Sequence, residues 1–305
     1  MLPELTKIEN SFHPSILTKV EDPLLEQHQL TLLVKRDDLL HPIISGNKWR
    51  KLKYIIDHAL SVDANTIISM GGAYSNHLHA LAYLGKTLQI KTIGIIRGEN
   101  HQALTPTLMD LQNWGMELKF VSRSEYRLLR QYKSWQDLPG LGARQYWLPE
   151  GGAHRLALQG VGELISEINI PFDILCTPCG TGTTLAGLIE AAPESVQAIG
   201  FAALKNAGFL TQDVEKLLTR PRPNWYIEQN YHFGGFAKTN NELNDFIEYF
   251  SATQHIPLEP VYTGKMLWGI FDLIKKDLIN PRQTIVAIHT GGLQGNRGFT
   301  SKSEP

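Results

Sequence analysis

Two kinds of segment alternate along most of the chain. Short runs rich in β-branched residues recur between longer stretches whose apolar residues have the spacing of one helix face. Between residues 49 and 60 the apolar side chains fall on one side of a predicted helix, and another helix is predicted to begin at Thr105-Pro106 and to stop at Gly115. The predicted strands cover residues 30–34, 66–70, 92–97, 118–121, 172–177, 196–201 and 284–289.

This alternation of strands and helices predicts an α/β fold with parallel sheets covered by helices on both faces. In such sheets, ligands bind in the loops at the carboxyl ends of the strands. Many glycines of the chain cluster at those ends. Gly-rich segments near residues 46 and 151 bracket a βα region that could form one compact lobe, and the chain has no Gly/Ser linker. The smaller domain is therefore expected to be an insertion.

Composition narrows the classes of function. The 305 residues are enough for about two domains, at roughly 150 residues each. The 29 Lys and Arg residues nearly balance 30 Asp and Glu residues, so no broad positive field is expected for nucleic acid or anionic lipid. No apolar run approaches the roughly 18 residues of a membrane span, and residues 1–12 lack the apolar stretch of a signal peptide. We expect a cytoplasmic protein with no nucleic-acid or membrane partner.

The two cysteines do not predict a metal site. Cys176 and Cys179 have C-x-x-C spacing, but the rest of a zinc site or a thioredoxin motif is missing around them. We interpret them as small residues at a strand end and in its loop.

The most specific local signal runs from Cys179 to Thr184 (Cys-Gly-Thr-Gly-Thr-Thr), after one predicted strand and before a helix. Glycines let the backbone turn sharply, while three hydroxyls and the N–H groups of a helix start point at one place. This arrangement is typical of a phosphate site. It lacks the lysine of a Walker loop, and an ordinary threonine-capped helix explains it equally well on local grounds.

Two further loops carry candidate chemistry. Lys48 lies where a Gly-Asn turn meets a helix, beside the large apolar Trp49, and a lysine held in a dry site can form a Schiff base. Ser75 and Asn76 follow the Gly71-Gly72 turn; Asn76 is predicted to cap a helix that runs to Leu84 and Gly85, and Ser75 to help form an anion pocket. A solvated lysine and a plain helix cap are the alternatives at these two places.

The three features together match what a pyridoxal-phosphate enzyme acting on amino acids requires: a phosphate cradle, a lysine for a Schiff base and a pocket for a carboxylate. The sequence also resembles, in the same order along residues 30–300, the motifs of the 1-aminocyclopropane-1-carboxylate deaminase and D-cysteine desulfhydrase family. The matching motifs are Gly46-Asn47-Lys48-x-Arg50-Lys51-Leu52, Gly71-Gly72-x-x-Ser75-Asn76-His77, Leu148-Pro149-Glu150-Gly151-Gly152, Thr181-Gly182-Thr183-Thr184, Pro260-Val261-Tyr262-Thr263-Gly264-Lys265 and His289-Thr290-Gly291-Gly292.

The resemblance implies a fold type II pyridoxal-phosphate enzyme, related to the tryptophan synthase β chain and usually a homodimer. Such an enzyme has two open, twisted, mainly parallel sheets flanked by helices. A large cofactor-binding domain would comprise residues 1–47 and 153–305, and a smaller inserted domain residues 48–152.

The resemblance also implies a role for each motif residue. Lys48 would hold the cofactor as a Schiff base and move the α proton of the substrate, and Tyr262 would stack near the ring with its hydroxyl close to the substrate. Asn76 would contact the phenolic oxygen of the ring. The phosphate would be held by Thr181, Gly182, Thr183 and Thr184, and the substrate carboxylate by Ser75, Asn76 and His77.

Two positions separate the two chemistries of the family. Deaminase-like members have a glutamate facing the ring nitrogen where this chain has Thr263, and a leucine where it has Thr290. A carboxylate keeps a proton on the ring nitrogen and makes the ring a strong electron sink, as opening a cyclopropane demands. A threonine hydroxyl leaves a weaker sink, which is sufficient when thiolate departs from the β carbon. His77 also resembles the desulfhydrase pattern, so the favoured reaction is α,β-elimination to pyruvate, ammonia and hydrogen sulfide.

One segment departs from the family pattern. Phe236 stands where the family has a tyrosine, and the loss of that phenol removes a hydrogen-bonding group from the substrate side, so D-cysteine itself need not be the preferred substrate. The alternatives are a 1-aminocyclopropane-1-carboxylate deaminase and, in another class, a non-catalytic protein that binds pyridoxal phosphate or another phosphate ligand.

Overall fold

A computed structural model describes residues 1–99 and 103–300. Within these residues, ten strands form two sheets. The strands are β1 (Leu17–Lys19), β2 (Thr31–Lys35), β3 (Thr66–Gly71), β4 (Lys91–Arg97), β5 (Glu117–Val121), β6 (Gln145–Leu148), β7 (Ile174–Cys179), β8 (Gln197–Ala202), β9 (Trp225–Glu228) and β10 (Thr284–Ile288).

The helices alternate with these strands, as the pattern of apolar positions predicts. The α-helices are α1 (Pro3–Glu9), α2 (Pro23–Gln27), α3 (Asn47–Ser61), α4 (Asn76–Leu88), α5 (Pro106–Asn113), α6 (Arg123–Leu129), α7 (Arg155–Ser166), α8 (Thr183–Ala191), α9 (Phe209–Leu217), α10 (Asn241–Gln254), α11 (Thr263–Lys275) and α12 (Arg297–Thr300). Short 3-10 helices cover Asp37–Leu39, Glu150–Gly152 and Leu293–Asn296. In the described part of the chain, no helix is long and apolar enough to cross a membrane.

The chain divides into two compact units. Unit 1 is formed by Met1–Phe12, His41–Gly160 and the segment that begins at Gln294, and unit 2 by His13–Leu40 and Val161–Leu293. These changes of unit lie close to the predicted domain boundaries at 47/48 and 152/153. The two end segments, which the prediction gives to the larger domain, fold with unit 1 instead.

Contacts of the first end segment explain its place in unit 1. Leu5 is buried in the same apolar cluster as Trp49 and Leu52 of helix α3. The carboxylate of Glu9 accepts a hydrogen bond from the indole N–H of Trp49 at 2.9 Å and another from the ammonium of Lys53 at 2.7 Å. An amphipathic N-terminal helix therefore completes the core of this unit.

Unit 1 is built on a four-stranded, wholly parallel sheet in the order β5-β4-β3-β6. Strand β3 is buried along its whole length, as expected for a central strand covered on both faces. The apolar face of α3 predicted from residues 49–60 is buried against this sheet's core, and α5 begins after Thr105 and ends before Gly115 as predicted.

Unit 2 is built on a six-stranded sheet in the order β1-β2-β10-β7-β8-β9. Only β1 is antiparallel to its neighbour among the described strands, so the predicted fold of two mainly parallel sheets is confirmed. Because β10 runs parallel to β7, the loops that follow Ile288 and Cys179 leave the same edge of the sheet. Two of the predicted motif loops are neighbours for this reason.

Candidate active site

The loop after β7 and the start of α8 contain the residues that the sequence predicts to hold a phosphate, and they lie in unit 2. Gly182 has a φ of 73°, and a Cβ placed on it would lie 2.6 Å from Cγ2 of Val214, so only glycine fits here. It occupies the N-cap of α8 without a side-chain cap. The hydroxyls of Thr181 and Thr183 lie 3.0 Å apart, and Thr183 is buried. The N-terminus of a helix and two neighbouring hydroxyls thus lie together, an arrangement that suits an anion.

The ring of Tyr262 lies against this loop. A Cβ added to Gly180 would be 3.2 Å from Cε1 of Tyr262 and 3.3 Å from its hydroxyl, which places the phenol in contact with the loop backbone. The ring of Phe236 meets Tyr262 edge to face at 6.0 Å between centroids. Tyr262, the phosphate loop and the segment that departs from the family pattern are therefore brought together in unit 2.

Sequence reasoning missed Glu259, which holds the Tyr262 loop. This buried carboxylate accepts the backbone N–H groups of Val261 at 2.7 Å, Tyr262 at 2.9 Å and Thr263 at 2.6 Å. Burial raises the pKa of Glu259, while these hydrogen bonds act in the opposite direction. An acidic residue four positions before a helix start was the only sequence signal of this anchor.

Glu259 also engages the Thr263 side chain. The Thr263 hydroxyl donates to the carboxylate at 3.1 Å and accepts the backbone N–H of Glu259 at 3.2 Å. A hydroxyl has only one proton to donate. Of the two threonines that distinguish this chain from deaminase-like sequences, Thr263 therefore has its proton committed within unit 2.

Thr290 lies in a loop that a buried histidine holds in place. Nδ1 of His289 accepts the N–H of Gly291 at 3.2 Å, and its Nε2 therefore carries the proton that it donates to the carbonyl of Pro257 at 2.7 Å. Burial lowers the pKa of His289, although Asp38 lies 3.5 Å from Nδ1 and opposes this. Thr290 itself is buried, and no hydrogen bond joins its side chain to another predicted site residue in the described part of the chain.

The Gly71-Gly72 motif leads into helix α4 of unit 1, but the predicted cap is wrong by one residue. Ser75 is the N-cap, and its hydroxyl accepts the N–H of Leu78 at 3.2 Å. Asn76 is the first residue of the helix, and its side-chain oxygen accepts a hydrogen bond from the amide of Gln294 at 2.5 Å.

The predicted end of this helix is wrong as well, because α4 continues through Gly85. A Cβ added to Gly85 would lie 2.5 Å from Cγ2 of Thr92. Gly85 is thus a packing glycine, and the helix ends at Leu88.

His77 is locked as a neutral imidazole. The hydroxyl of Ser69 donates to the carbonyl of Leu148 at 2.7 Å, so its contact with Nε2 of His77 at 2.8 Å must use the proton of the histidine. Nδ1 is buried without a hydrogen-bond partner among the described residues, so a second proton there would have no acceptor, and Nδ1 is bare. Burial, followed by the charges of Lys48 and Lys51, lowers the pKa of His77 to about 3.

Lys48 is the second residue of α3 and is half-buried. Gly46, at the N-cap with a φ of 63°, turns the chain into the helix, and the ammonium of Lys48 donates to the side-chain oxygen of Asn47. Helix α3, which carries Lys48, contacts helix α4, which carries His77, within unit 1. Unit 1 therefore groups Lys48 and His77, with Ser75 and Asn76 preceding His77 on the start of α4.

Comparison with known proteins agrees with this chemistry. Residues 18–291 match the family described as pyridoxal-phosphate dependent enzyme. A Pyrococcus horikoshii protein, named as a proposed 1-aminocyclopropane-1-carboxylate deaminase, is 30% identical over 88% of this chain and 86% of its own. A mitochondrial Arabidopsis thaliana protein named bifunctional D-cysteine desulfhydrase/1-aminocyclopropane-1-carboxylate deaminase is 29% identical over 87% of this chain and 73% of its own. A crystal structure of an ACC deaminase homologue has a TM-score of 0.82 at 26% identity, covering 99% of this chain and 98% of its own.

Proposed function

The chain belongs to the pyridoxal-phosphate-dependent enzyme family, and we propose that it catalyses α,β-elimination on a small amino acid in the manner of a D-cysteine desulfhydrase. The products would be pyruvate, ammonia and hydrogen sulfide. The observation that carries the proposal is that hydroxyls, and no carboxylate, stand at Thr263 and Thr290.

The residues present fit the cofactor. The loop at residues 181–184 has the helix N-terminus and hydroxyls that suit a phosphate monoester, and Gly182 allows the left-handed turn into that helix. Lys48 supplies a primary amine beside a helix start, and the amide of Asn76 supplies a donor for a phenolic oxygen. When bound, pyridoxal phosphate supplies an electron-withdrawing ring that acidifies the α carbon of an attached amino acid.

Lys48 would hold the cofactor through its amine and, in its free form, would remove the α proton of the substrate. The start of α4 receives the substrate carboxylate, with the Ser75 hydroxyl and backbone N–H groups as donors. His77 contributes its backbone N–H rather than its ring, because the bare Nδ1 can only accept a hydrogen bond. The Tyr262 phenol, held against Gly180, keeps the ring of the cofactor in place.

The two threonines favour elimination of a good leaving group. Glu259 is the carboxylate nearest in sequence, but its oxygens accept three backbone N–H groups and the Thr263 hydroxyl, so it does not replace a carboxylate at the ring nitrogen. Thr290 then offers a hydroxyl there, which cannot maintain a ring proton as a carboxylate does. In the elimination, the electron pair of the broken Cα–H bond forms the Cα=Cβ bond, the pair of the broken C–S bond leaves with thiolate, and water converts the released enamine into pyruvate and ammonia.

Product analysis tests the proposal. Purified protein with pyridoxal phosphate should release pyruvate and sulfide from D- or L-cysteine, and it should form no 2-oxobutyrate from 1-aminocyclopropane-1-carboxylate. The reverse pattern would establish the second candidate, a 1-aminocyclopropane-1-carboxylate deaminase, which the names of the Pyrococcus horikoshii and Arabidopsis thaliana relatives favour.

Absorption tests the cofactor site separately from turnover. The protein should gain a visible band with pyridoxal phosphate, and borohydride should abolish the band. Lys48→Ala should lack the lysine-dependent band, whereas the matched control Lys86→Ala, at an exposed position of α4, should keep it. A band without any turnover of amino acids would indicate a non-catalytic binding protein, and a colourless protein would refute the proposal.

In this proposal the protein is a cytoplasmic homodimer with no nucleic-acid partner. The family resemblance supports the dimer, and the formal net charge of −1 supports the absence of a broad surface for nucleic acid. Light scattering coupled to gel filtration would measure the assembly: a mass near twice 34.3 kDa is expected, and a mass of one chain would contradict it.

A further inference from the structure

The side chain of Gln294 sits at the centre of a hydrogen-bonded network in unit 1. Its amide nitrogen donates to Oδ1 of Asn76 at 2.5 Å. Its amide oxygen accepts the hydroxyl of Thr107 at 2.7 Å and Nη2 of Arg297 at 2.9 Å. The same Nη2 donates to Oδ2 of Asp110 at 2.7 Å. Residues of α4, α5 and α12 thus all hydrogen-bond to one glutamine.

The chemistry of the outer members dictates the orientation of the inner ones. An ionised carboxylate such as Asp110 only accepts hydrogen bonds, and the guanidinium of Arg297 only donates them. The atom of Gln294 that faces Arg297 must therefore be its oxygen, which turns the nitrogen of Gln294 toward Asn76. The atom of Asn76 that meets this nitrogen must in turn be its oxygen. Asn76 consequently presents its NH₂ group away from the network.

We propose that Gln294 is a positioning residue, which fixes the Asn76 amide so that its NH₂ group faces the phenolic oxygen of pyridoxal phosphate. This inference rests on the proposed function, because it assumes that Asn76 contacts that oxygen. An ionised phenolic oxygen only accepts hydrogen bonds, so an amide turned the other way would place two acceptors face to face. An isolated asparagine amide can adopt either orientation. The hydrogen bond from Gln294 to its oxygen favours the one in which the NH₂ group faces the phenolic oxygen.

The sharpest test is Gln294→Glu, which keeps the shape of the side chain but can only accept. Its carboxylate still pairs with Arg297, and Asn76 must then turn its NH₂ group inward. We expect the dissociation constant of pyridoxal phosphate to rise roughly 10- to 100-fold, the range for a lost hydrogen bond to a charged acceptor. The apparent pKa of the visible band should rise by about one unit, since the phenolate loses its donor. Gln112→Glu, the same change at an exposed position of α5, is the matched control and should match the wild type.

A double-mutant comparison shows whether the effect passes through Asn76. In an Asn76→Ala background, Gln294→Glu should weaken binding no further and should leave the band unchanged. Gln294→Ala leaves the Asn76 amide free to take either orientation, so it should weaken the binding of pyridoxal phosphate less than Gln294→Glu. If thermal unfolding of the cofactor-free proteins shows that the glutamate variant does not fold, Gln294→Ala replaces it in this comparison.

Each result decides one question. Wild-type binding and spectrum in both Gln294 variants would overturn the positioning role while leaving the proposed function intact. An equal loss in the presence and absence of the Asn76 side chain would overturn it as well. A wild-type protein that develops no visible band would overturn the proposed function and this inference together.

Discussion

Replacing His77 with glutamine should remove a pH dependence from the stability of the protein. Burial, and then the charges of Lys48 and Lys51, hold the pKa of this imidazole near 3, whereas the unfolded chain takes up the proton near the ordinary value of 6.5. The neutral form of His77 therefore contributes fully to the stability of the fold above about pH 6.5, and this contribution is lost as the pH falls toward 3. One proton bound only by the unfolded state changes the free energy of unfolding by about 1.4 kcal/mol per pH unit.

Between pH 6 and pH 4, the free energy of unfolding should thus fall by roughly 2–3 kcal/mol more in the wild type than in His77→Gln. The glutamine amide does not titrate, and it can still donate to Ser69 in place of Nε2. The measurement is urea unfolding at several pH values, followed by tryptophan fluorescence after removal of bound cofactor. His13→Gln, at an exposed position of unit 2, is the control whose curve should parallel the wild type.

Parallel curves for the wild type and His77→Gln over this range would refute the assignment of a neutral, buried imidazole. A second measurement is independent of unfolding. In ¹⁵N-labelled protein, Nε2 of His77 should carry the proton and Nδ1 should remain bare from pH 8 down to pH 5. A ring that becomes doubly protonated near pH 6 would contradict the same reasoning.

Three other substitutions test contacts within the two units, and their effect is measured as the free energy of unfolding in urea. Gly182→Ala places a methyl group on a residue with left-handed backbone, against Val214. It should lower the free energy of unfolding by about 1–3 kcal/mol and weaken the binding of pyridoxal phosphate. Glu259→Gln replaces one carboxylate oxygen, which accepts a backbone N–H group, with an NH₂ group that can only donate. It should lower the free energy of unfolding by about 1–3 kcal/mol and also lower kcat. Gly160→Ala would place a Cβ 2.0 Å from the carbonyl oxygen of Arg50 and should cost at least about 1–3 kcal/mol, although alanine favours a helix by about 1 kcal/mol.

Matched controls separate these effects from the substitutions as such. Gly208→Ala adds a methyl group with no heavy atom within 4 Å and should be close to neutral. Glu248→Gln removes an exposed carboxylate from α10 and should change stability by less than about 0.5 kcal/mol. Variants at the three tested sites that behave like these controls would contradict the contacts described above.

Most of the predicted strands are long and largely buried, because burial on both faces demands continuous runs of β-branched residues. The exception is β5, which was predicted although it lies at a sheet edge and has no buried residue. Strands β1, β6 and β9 were not predicted for identifiable reasons. β1 has three residues, and β9 lies at a sheet edge and mixes aromatic and charged residues. β6 has only four residues, two of them aromatic, and is recognisable only once β3 provides its partner. Pairing over long sequence separations leaves little local signal in such segments.

In the candidate site, too, features that depend on residues far apart in the sequence could not be predicted. Glycines and hydroxyls at strand ends mark the Thr181 and Ser75 loops, since special backbone and capping requirements are local. Gln294 carries no such mark, because its role depends on Asn76, more than two hundred positions earlier in the chain. The capping residue of α4 was mistaken for the same reason: Ser75 and Asn76 are equally good caps locally, and the distant glutamine engages the asparagine.

Strand β10 makes folding depend on the order of synthesis. It joins β2 to β7 within the six-stranded sheet, yet it is the last of the described strands along the chain. A growing chain therefore has all four strands of the unit 1 sheet before β7 is made, whereas the two parts of the unit 2 sheet wait for β10 with their edges uncovered. Open edges of this kind recruit other chains. A ribosome that stalls before β10 would leave an aggregation-prone intermediate in which only unit 1 can have its complete sheet.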